Sequence, residues 1–218
     1  MRRKINNALK TIEYAFNRAN DYEENIAVAC SFGKDSIVTL HLCRQIHPNI
    51  KVFSIMTPYK FPETRTYKDY ITDLWQLDIE TFEADFTGDD IYKQDIHKCC
   101  DYYKVQQTKR AIKELDLDYW ITGLRNTEGG DMRKFTKEIE TDKDPIKINP
   151  ILHFTEKDIW LYHALFNLPI HPLYLEGYRS LGCKPCSAIG SDEESERAQR
   201  WGGKKCECGI HTENLRNS

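Results

Sequence analysis

Three clusters of residues in this sequence are equipped for chemistry. The first is Ser31-Phe32-Gly33-Lys34-Asp35-Ser36, which follows a short apolar run at 26–30 and precedes helical spacing over about 36–47. A glycine at such a junction lets the backbone turn tightly with no side chain in the way. The amides that follow, at the positive end of a helix, form a seat for an anion. Ser31 and Ser36 can add hydroxyl donors and Lys34 a charge. The Walker pattern, a longer Gly-rich stretch ending in GK[ST], is absent. Nucleotide or phosphate binding is the functional reading, and an ordinary strand–helix turn is the plainer one.

The other two clusters are built on cysteine. The chain has eight cysteines, and their grouping argues for chemistry or metal before disulfide stapling. Cys99 and Cys100 are adjacent, and Cys183-Lys184-Pro185-Cys186 is a CxxC stiffened by proline. Together they supply four thiolates, enough for one metal centre. Adjacent cysteines diverge, which suits a bulky iron–sulfur cluster better than a compact tetrahedral zinc. The alternative is two half-buried thiols and a redox pair. Near the C-terminus, Lys204-Lys205-Cys206-Glu207-Cys208-Gly209-Ile210-His211 sets two further cysteines beside lysines and a histidine that favour a thiolate. After Gly202 and Gly203, such a tail suits a nucleophile that visits a substrate pocket and then an external reductant. A frayed tail with surface thiols is the bland alternative.

The elements that must position these clusters alternate in kind. Apolar residues Ile5, Ala8, Leu9, Ile12, Ala15 and Phe16 predict a helix over 4–19. Strands are expected at 26–30, 50–55, 78–84 and 118–122, with helices at 36–47, 63–75 and 101–115 between them. This repetition predicts an α/β fold, a mostly parallel central sheet with helices on both faces and the phosphate loop after the first strand. Residues 125–147 are charged, hold Gly129 and Gly130, and read as a long loop or lid. Strand character returns at 146–152, and Thr155 with Asp158 predicts a capped helix running to about Phe166. Tyr14, Phe16, Tyr22 and the Trp160–Tyr162 region are expected to pack. His41, His47, His163 and His171 are expected to be structural rather than ligands. The last fifty or so residues are a loop-rich, cysteine-bearing region, so the chain divides into a domain over 1–190 and a mobile tail over 191–218.

Composition narrows the function classes. Lys plus Arg is 31 against 34 for Asp plus Glu, a formal charge of −3, which disfavours a nucleic-acid partner. With 40% hydrophobic residues the chain can bury a core. No apolar run reaches the roughly 18 residues of a membrane helix, and no secretory leader is evident. A cytoplasmic location is expected, with a homo-oligomer left open.

Taken in order, SFGKDS (31–36), FPET (61–64), Cys99-Cys100 with Lys104, WITGLR (120–125), KINPI (147–151), FTEKDIW (154–160), LPIHPLYLEGYRSLGCKPCS (168–187) and ECGIH (207–211) form a specific set. The set resembles the assimilatory adenylylsulfate and phosphoadenylylsulfate reductases, members of the adenine-nucleotide alpha-hydrolase-like (PP-loop) superfamily. The resemblance implies that Ser31, Phe32, Gly33, Lys34, Asp35 and Ser36 hold the sulfate–phosphate end of the substrate, with Arg125 on its charged groups. It implies a [4Fe-4S] cluster on Cys99, Cys100, Cys183 and Cys186, the mark of the adenylylsulfate-preferring branch, with Lys104 between cluster and substrate. Cys208 is implied as the nucleophile, with His211 nearby. The implied reaction reduces adenylylsulfate to sulfite and AMP through a Cys208 S-sulfonate, with thioredoxin or a similar dithiol as reductant.

The sequence departs from the family pattern in places. Met56-Thr57-Pro58-Tyr59 stands where the family reads roughly Asp-Thr-Gly-Tyr, Tyr103 precedes Lys104 where an Arg is common, and Asn126-Thr127-Glu128-Gly129 replaces Arg-Glu-Gln-Ser. Cys206 is an addition. Arg133 or Lys134 could replace the lost basic charge. Three other readings are therefore kept: a phosphoadenylylsulfate reductase, an ATP-dependent sulfur-transfer enzyme of the same superfamily acting on tRNA or DNA, and a non-catalytic metal-stabilised nucleotide-binding partner.

Overall fold

A computed structural model describes residues 1–88, 90–128, 133–191, 195–203 and 209–211. Cys206, Cys208 and the glycine pair 129–130 lie outside the described residues.

Short apolar segments build the sheet. Strands β1 (Ile26–Ala29), β2 (Lys51–Met56), β3 (Ile79–Glu83), β4 (Tyr119–Ile121), β5 (Ile139–Glu140) and β6 (Ile146–Ile148) lie in the order β3-β2-β1-β4-β6-β5. Every neighbouring pair is parallel except β5 with β6. Val28 of β1 and all of β4 are buried, as expected of strands covered on both faces.

Helices cover both faces. Helix α1 (Arg2–Tyr22) buries the stripe Ala8, Ile12, Ala15, Phe16 and Ala19. It packs with α2 (Lys34–Ile46), α3 (Pro62–Trp75) and α7 (Glu156–Leu165) in the larger core cluster. On the opposite face α6 (Gln106–Glu114) packs Ala111 and Ile112 against Ala27, Phe53 and Trp120. Phe16 is in the core and stacks on His47, while Tyr14 and Tyr22 are exposed. Among the described residues no helix is long and apolar enough to cross a membrane.

Three segments differ from expectation. The helix expected at 101–115 is preceded by α4 (Ile91–Gln94) and α5 (Ile96–Cys100), and opens with a π-helical turn over Asp101–Val105. Asp95 starts α5, its carboxylate accepting from the amides of His97 and Lys98 at 2.8 and 3.1 Å. The loop at 125–147 contains β5, which pairs Ile139 with Ile148 at the sheet edge. Strand β6 ends at Ile148, because Asn149 turns the chain and spends its side-chain amide on the Lys137 carbonyl and Glu140.

The start of α7 follows from its sequence. Thr155 Oγ1 accepts from the Asp158 amide and the Asp158 carboxylate accepts from the Thr155 amide, a complete capping box. Lys4 reinforces that carboxylate at 2.5 Å. Thr155→Ala is expected to lower stability by about 1 kcal/mol, read as a shift in urea midpoint at constant m-value.

Candidate active site

Strand order reverses direction between β1 and β4, and in open α/β sheets the crevice at such a point, beyond the carboxyl ends of the strands, receives ligands. The 31–36 loop leaves β1 here. Its left-handed residue is Phe32, with φ 62°, and not Gly33, which is the N-cap of α2 with φ −85°. Burial of the Phe32 ring in the core offsets that strained backbone. Gly33 is needed for space instead: a Cβ there would sit 3.2 Å from the Tyr174 hydroxyl, which accepts from the Lys34 amide at 2.9 Å. Ser36 Oγ donates to the Gly33 carbonyl at 2.9 Å, and Ser31 Oγ donates to Ser36 Oγ at 3.3 Å. Gly123, just past β4, lets that strand end close on the loop. A Cβ at this position would lie 3.1 Å from the backbone of Ser36.

Beneath the loop is a cluster of buried charge. Arg125 is fully buried; its Nε donates to Asp35 at 2.6 Å, and its two terminal nitrogens grip both oxygens of Glu196 at 2.9 and 2.5 Å. Lys34 Nζ meets Glu196 at 3.0 Å and donates to the Arg179 carbonyl at 2.7 Å. Burial opposes charge on Lys34, but Asp35, Tyr174 and Glu196 outweigh it and hold the ammonium above its ordinary range. Burial likewise acts to raise Glu196, and Arg125 and Lys34 keep it ionised. Glu128 is held well below the ordinary carboxylate range, burial being overcome by Arg197 and Arg133. Arg133 lies 2.9 Å from Glu128 and Arg197 3.6 Å from it.

Above the loop opens a cavity of about 1140 Å³, including its mouth. Among the described residues six cationic side chains line it, Lys34, Lys60, Lys104, Arg133, Arg197 and Arg200, against the two carboxylates Asp35 and Glu128. That imbalance selects an anion. Phe53, Ile55 and Trp120 supply an apolar wall. Into this space reaches the C-terminal end of the described chain. His211 stacks on Trp120 at 5.4 Å with planes 22° apart, its carbonyl accepts from Lys147 at 3.3 Å, and Ile210 packs on the α6-side core. Burial lowers the His211 pKa well below its usual value, and Arg133, Lys147 and Arg197 add to the effect, so the docked imidazole is neutral.

The phosphoadenosine phosphosulfate reductase domain matches residues 25–189. The chain belongs to this reductase family. It is 33% identical over 217 residues to the adenosine 5'-phosphosulfate reductase of Geobacillus kaustophilus, covering 94% of this chain and 89% of that one. It is 34% identical over 205 residues to the phosphoadenosine 5'-phosphosulfate reductase of Xanthomonas axonopodis pv. citri, covering 86% and 82%. Among solved structures it is similar in fold to the phosphoadenylyl-sulfate reductase of Candida auris in its phosphate complex, with TM-score 0.70, 21% identity and coverage of 84% and 90%.

Placed in the reductase fold, the residues picked out by sequence divide into groups. Ser31, Gly33, Lys34, Asp35, Ser36, Lys104 and His211 all line the cavity. Phe32 is in the core, and Arg125 is turned onto carboxylates. Lys104, carried by the π-helical turn, lines both the main cavity and a smaller one bordered by Cys99, Cys100, Cys183 and Cys186. Sequence reasoning missed Lys60, Arg197, Arg200, Glu196 and the role of Trp120 as a wall. The run Glu196-Arg197-Ala198-Gln199-Arg200-Trp201, dense in charge yet ending on an aromatic, was the available signal.

The expected [4Fe-4S] cofactor is corrected by the structure. The four cysteines do come together around one small cavity as free, buried thiols. Yet among the described residues no group of three or more His, Cys, Asp or Glu side chains is arranged to hold a metal ion. The four thiols sit in different electrostatic environments. Burial, then the neighbouring cysteines, push Cys99 up to about 12, and burial with Cys183 raises Cys186. At Cys183 burial is outweighed by Lys104 and Lys60, with Thr57 Oγ1 3.2 Å from its sulfur.

Two outcomes are expected of this site. Gly123→Ala should destabilise the protein by about 1–3 kcal/mol, since backbone must shift to admit the methyl, measured by urea unfolding. Docking of His211 should depend on pH with a definite sign. A depressed pKa in the docked form means that the undocked form takes up the proton more readily. Docking is therefore strongest above the ordinary histidine value near 6.5 and weakens as pH falls below it. Trp120 fluorescence should report an acid-induced change in the wild type that His211→Phe lacks.

Proposed function

We propose that this chain reduces adenylylsulfate to sulfite and AMP, drawing electrons from thioredoxin or a similar dithiol. The observation that carries the reading is a cation-lined cavity at the carboxyl edge of β1 and β4, entered by the C-terminal segment that ends the ECGIH motif. The family assignment and the similarity to the Geobacillus kaustophilus enzyme support it.

The chain's own residues account for the steps. The loop hydroxyls of Ser31 and Ser36, with Lys60, Lys104, Arg133, Arg197 and Arg200 around the cavity, hold the sulfate and phosphate oxygens. Lys34 and Arg125 stiffen the loop from beneath. Cys208, followed two and three residues on by Ile210 and His211 in the cavity lining, attacks the sulfur as a thiolate favoured by these cations. The sulfur–oxygen bond to AMP breaks, and the phosphate leaves with the electron pair, its charge stabilised by the same side chains. The product is Cys208 S-sulfonate. A reductant thiolate then attacks the Cys208 sulfur and expels sulfite, and the second thiol of the reductant resolves the mixed disulfide, freeing Cys208. His211, three residues on from Cys208 in sequence, seats the segment by stacking on Trp120.

Substrate preference rests on charge. Tyr103 and Asn126 stand where the family commonly has arginines, so a further phosphate has fewer partners. The higher kcat/KM is expected for adenylylsulfate over its 3'-phosphorylated form; a reversed preference would reassign the substrate.

Incubation with adenylylsulfate without reductant is expected to leave an adduct of about 80 Da on Cys208, located by peptide mass mapping. Cys208→Ser should lose both adduct and turnover, and Cys206→Ser should keep both. Adduct on Cys206, or turnover in Cys208→Ser, would overturn the scheme. Steady pyrophosphate release from ATP would point to the sulfur-transfer reading instead.

A further inference from the structure

Two consecutive residues of the C-terminal segment, Glu196 and Arg197, carry opposite charges and meet opposite charges in the body of the protein. Glu196 lies with one oxygen 2.9 Å and the other 2.5 Å from the Arg125 guanidinium, and 3.0 Å from Lys34 Nζ. Arg197 faces Glu128 at 3.6 Å, and Glu128 in turn holds Arg133, which donates to the Arg125 carbonyl at 3.0 Å. Lys34 and Arg125 are almost wholly buried, so neither can be left without a counter-charge except at high cost.

The segment is fixed further along by shape. Arg200 is buried against Gly182, where an added Cβ would stand 2.0 Å from its Nη2, and it donates to the Cys186 and Leu181 carbonyls at 3.0 and 3.1 Å. Trp201 is buried beneath both arginines, 4.4 Å from Arg200 and 5.3 Å from Arg197. A slip of one residue would drive Arg197 into Lys34 and Arg125. The alternation of charge therefore sets the register of the segment as well as its attachment.

We infer that Glu196 is a positioning residue, whose carboxylate, clamped between Lys34 and Arg125, fixes segment 195–203 on the phosphate loop and so sets Arg197 and Arg200 in the wall of the substrate cavity. Glu196 itself is not among the residues lining the cavity. The inference rests on the proposed function for the identity of the substrate, but the attachment can be read without it.

The test combines hydrogen exchange of the ligand-free full-length chain with steady-state turnover of adenylylsulfate under reduced thioredoxin. In Glu196→Gln, amides of 195–203 should exchange about tenfold faster or more, while β1 and β4 keep their protection. KM for adenylylsulfate should rise about tenfold or more, and Glu196→Asp should recover much of the loss. Unchanged exchange at 195–203 would overturn the inference, as would faster exchange with unchanged KM. A fall in KM would overturn it too, since Glu196 would then be a carboxylate competing with the substrate for Lys34 and Arg125. If Glu196→Gln does not fold, Arg197→Gln cuts the second attachment while leaving Lys34 and Arg125 paired; because Arg197 itself lines the cavity, only exchange is read, with faster exchange confined to 195–203 expected and unchanged exchange overturning the inference. If the wild type does not turn over adenylylsulfate, the proposed function fails, and the exchange result alone decides the attachment.

Discussion

The buried pairing of Arg125 and Lys34 with Asp35 and Glu196 is the interaction on which the rest of this molecule depends. Charges removed from water are tolerated only when matched by opposite charge and hydrogen bonds. Here the matching groups come from segments far apart in the chain. Lys34 and Asp35 open α2, Arg125 follows β4, and Glu196 belongs to the C-terminal segment. Glu156, at the start of α7, lies 3.9 Å from Lys34 and pairs with Arg179. The charge balance of the phosphate loop, the end of β4 and the C-terminal segment is therefore shared among them.

That pairing changes how the cations of the site divide their work. Lys34 and Arg125 are the ones a reader of the motif would assign to the substrate. The structure surrounds them with carboxylates, and of the two only Lys34 is among the described residues lining the cavity, where it is joined by cations from other elements: Lys60 beside the CxxC loop, Lys104 on the π-helical turn, Arg133, and the two arginines of the C-terminal segment. The anion-selecting field is thus assembled mainly from residues outside the phosphate loop.

Much of the fold was legible because local pattern and final burial agree. The stripe of α1, the apolar strands and the Thr155–Asp158 capping box mean the same thing in isolation as in the folded chain. Legibility failed where meaning depended on a distant partner. Gly33 looks like the turning residue, but core packing of the Phe32 ring moves the left-handed conformation one position back. Glu196 is one acidic residue among 34 until Lys34 and Arg125 are seen beside it. The four cysteines were rightly grouped in space, but grouping is not coordination, and the environment of each thiol was invisible in their spacing.

Trp201 is a buried anchor only seven residues before Cys208. A fully extended chain of that length spans roughly 25 Å. Whatever path the intervening residues take, the Cys208 thiol is confined to a sphere of about that radius around the anchor. That confinement restricts the second half of the cycle. On the proposed scheme, an external dithiol has to come within that radius of Trp201, beside Arg197 and Arg200, to reach Cys208.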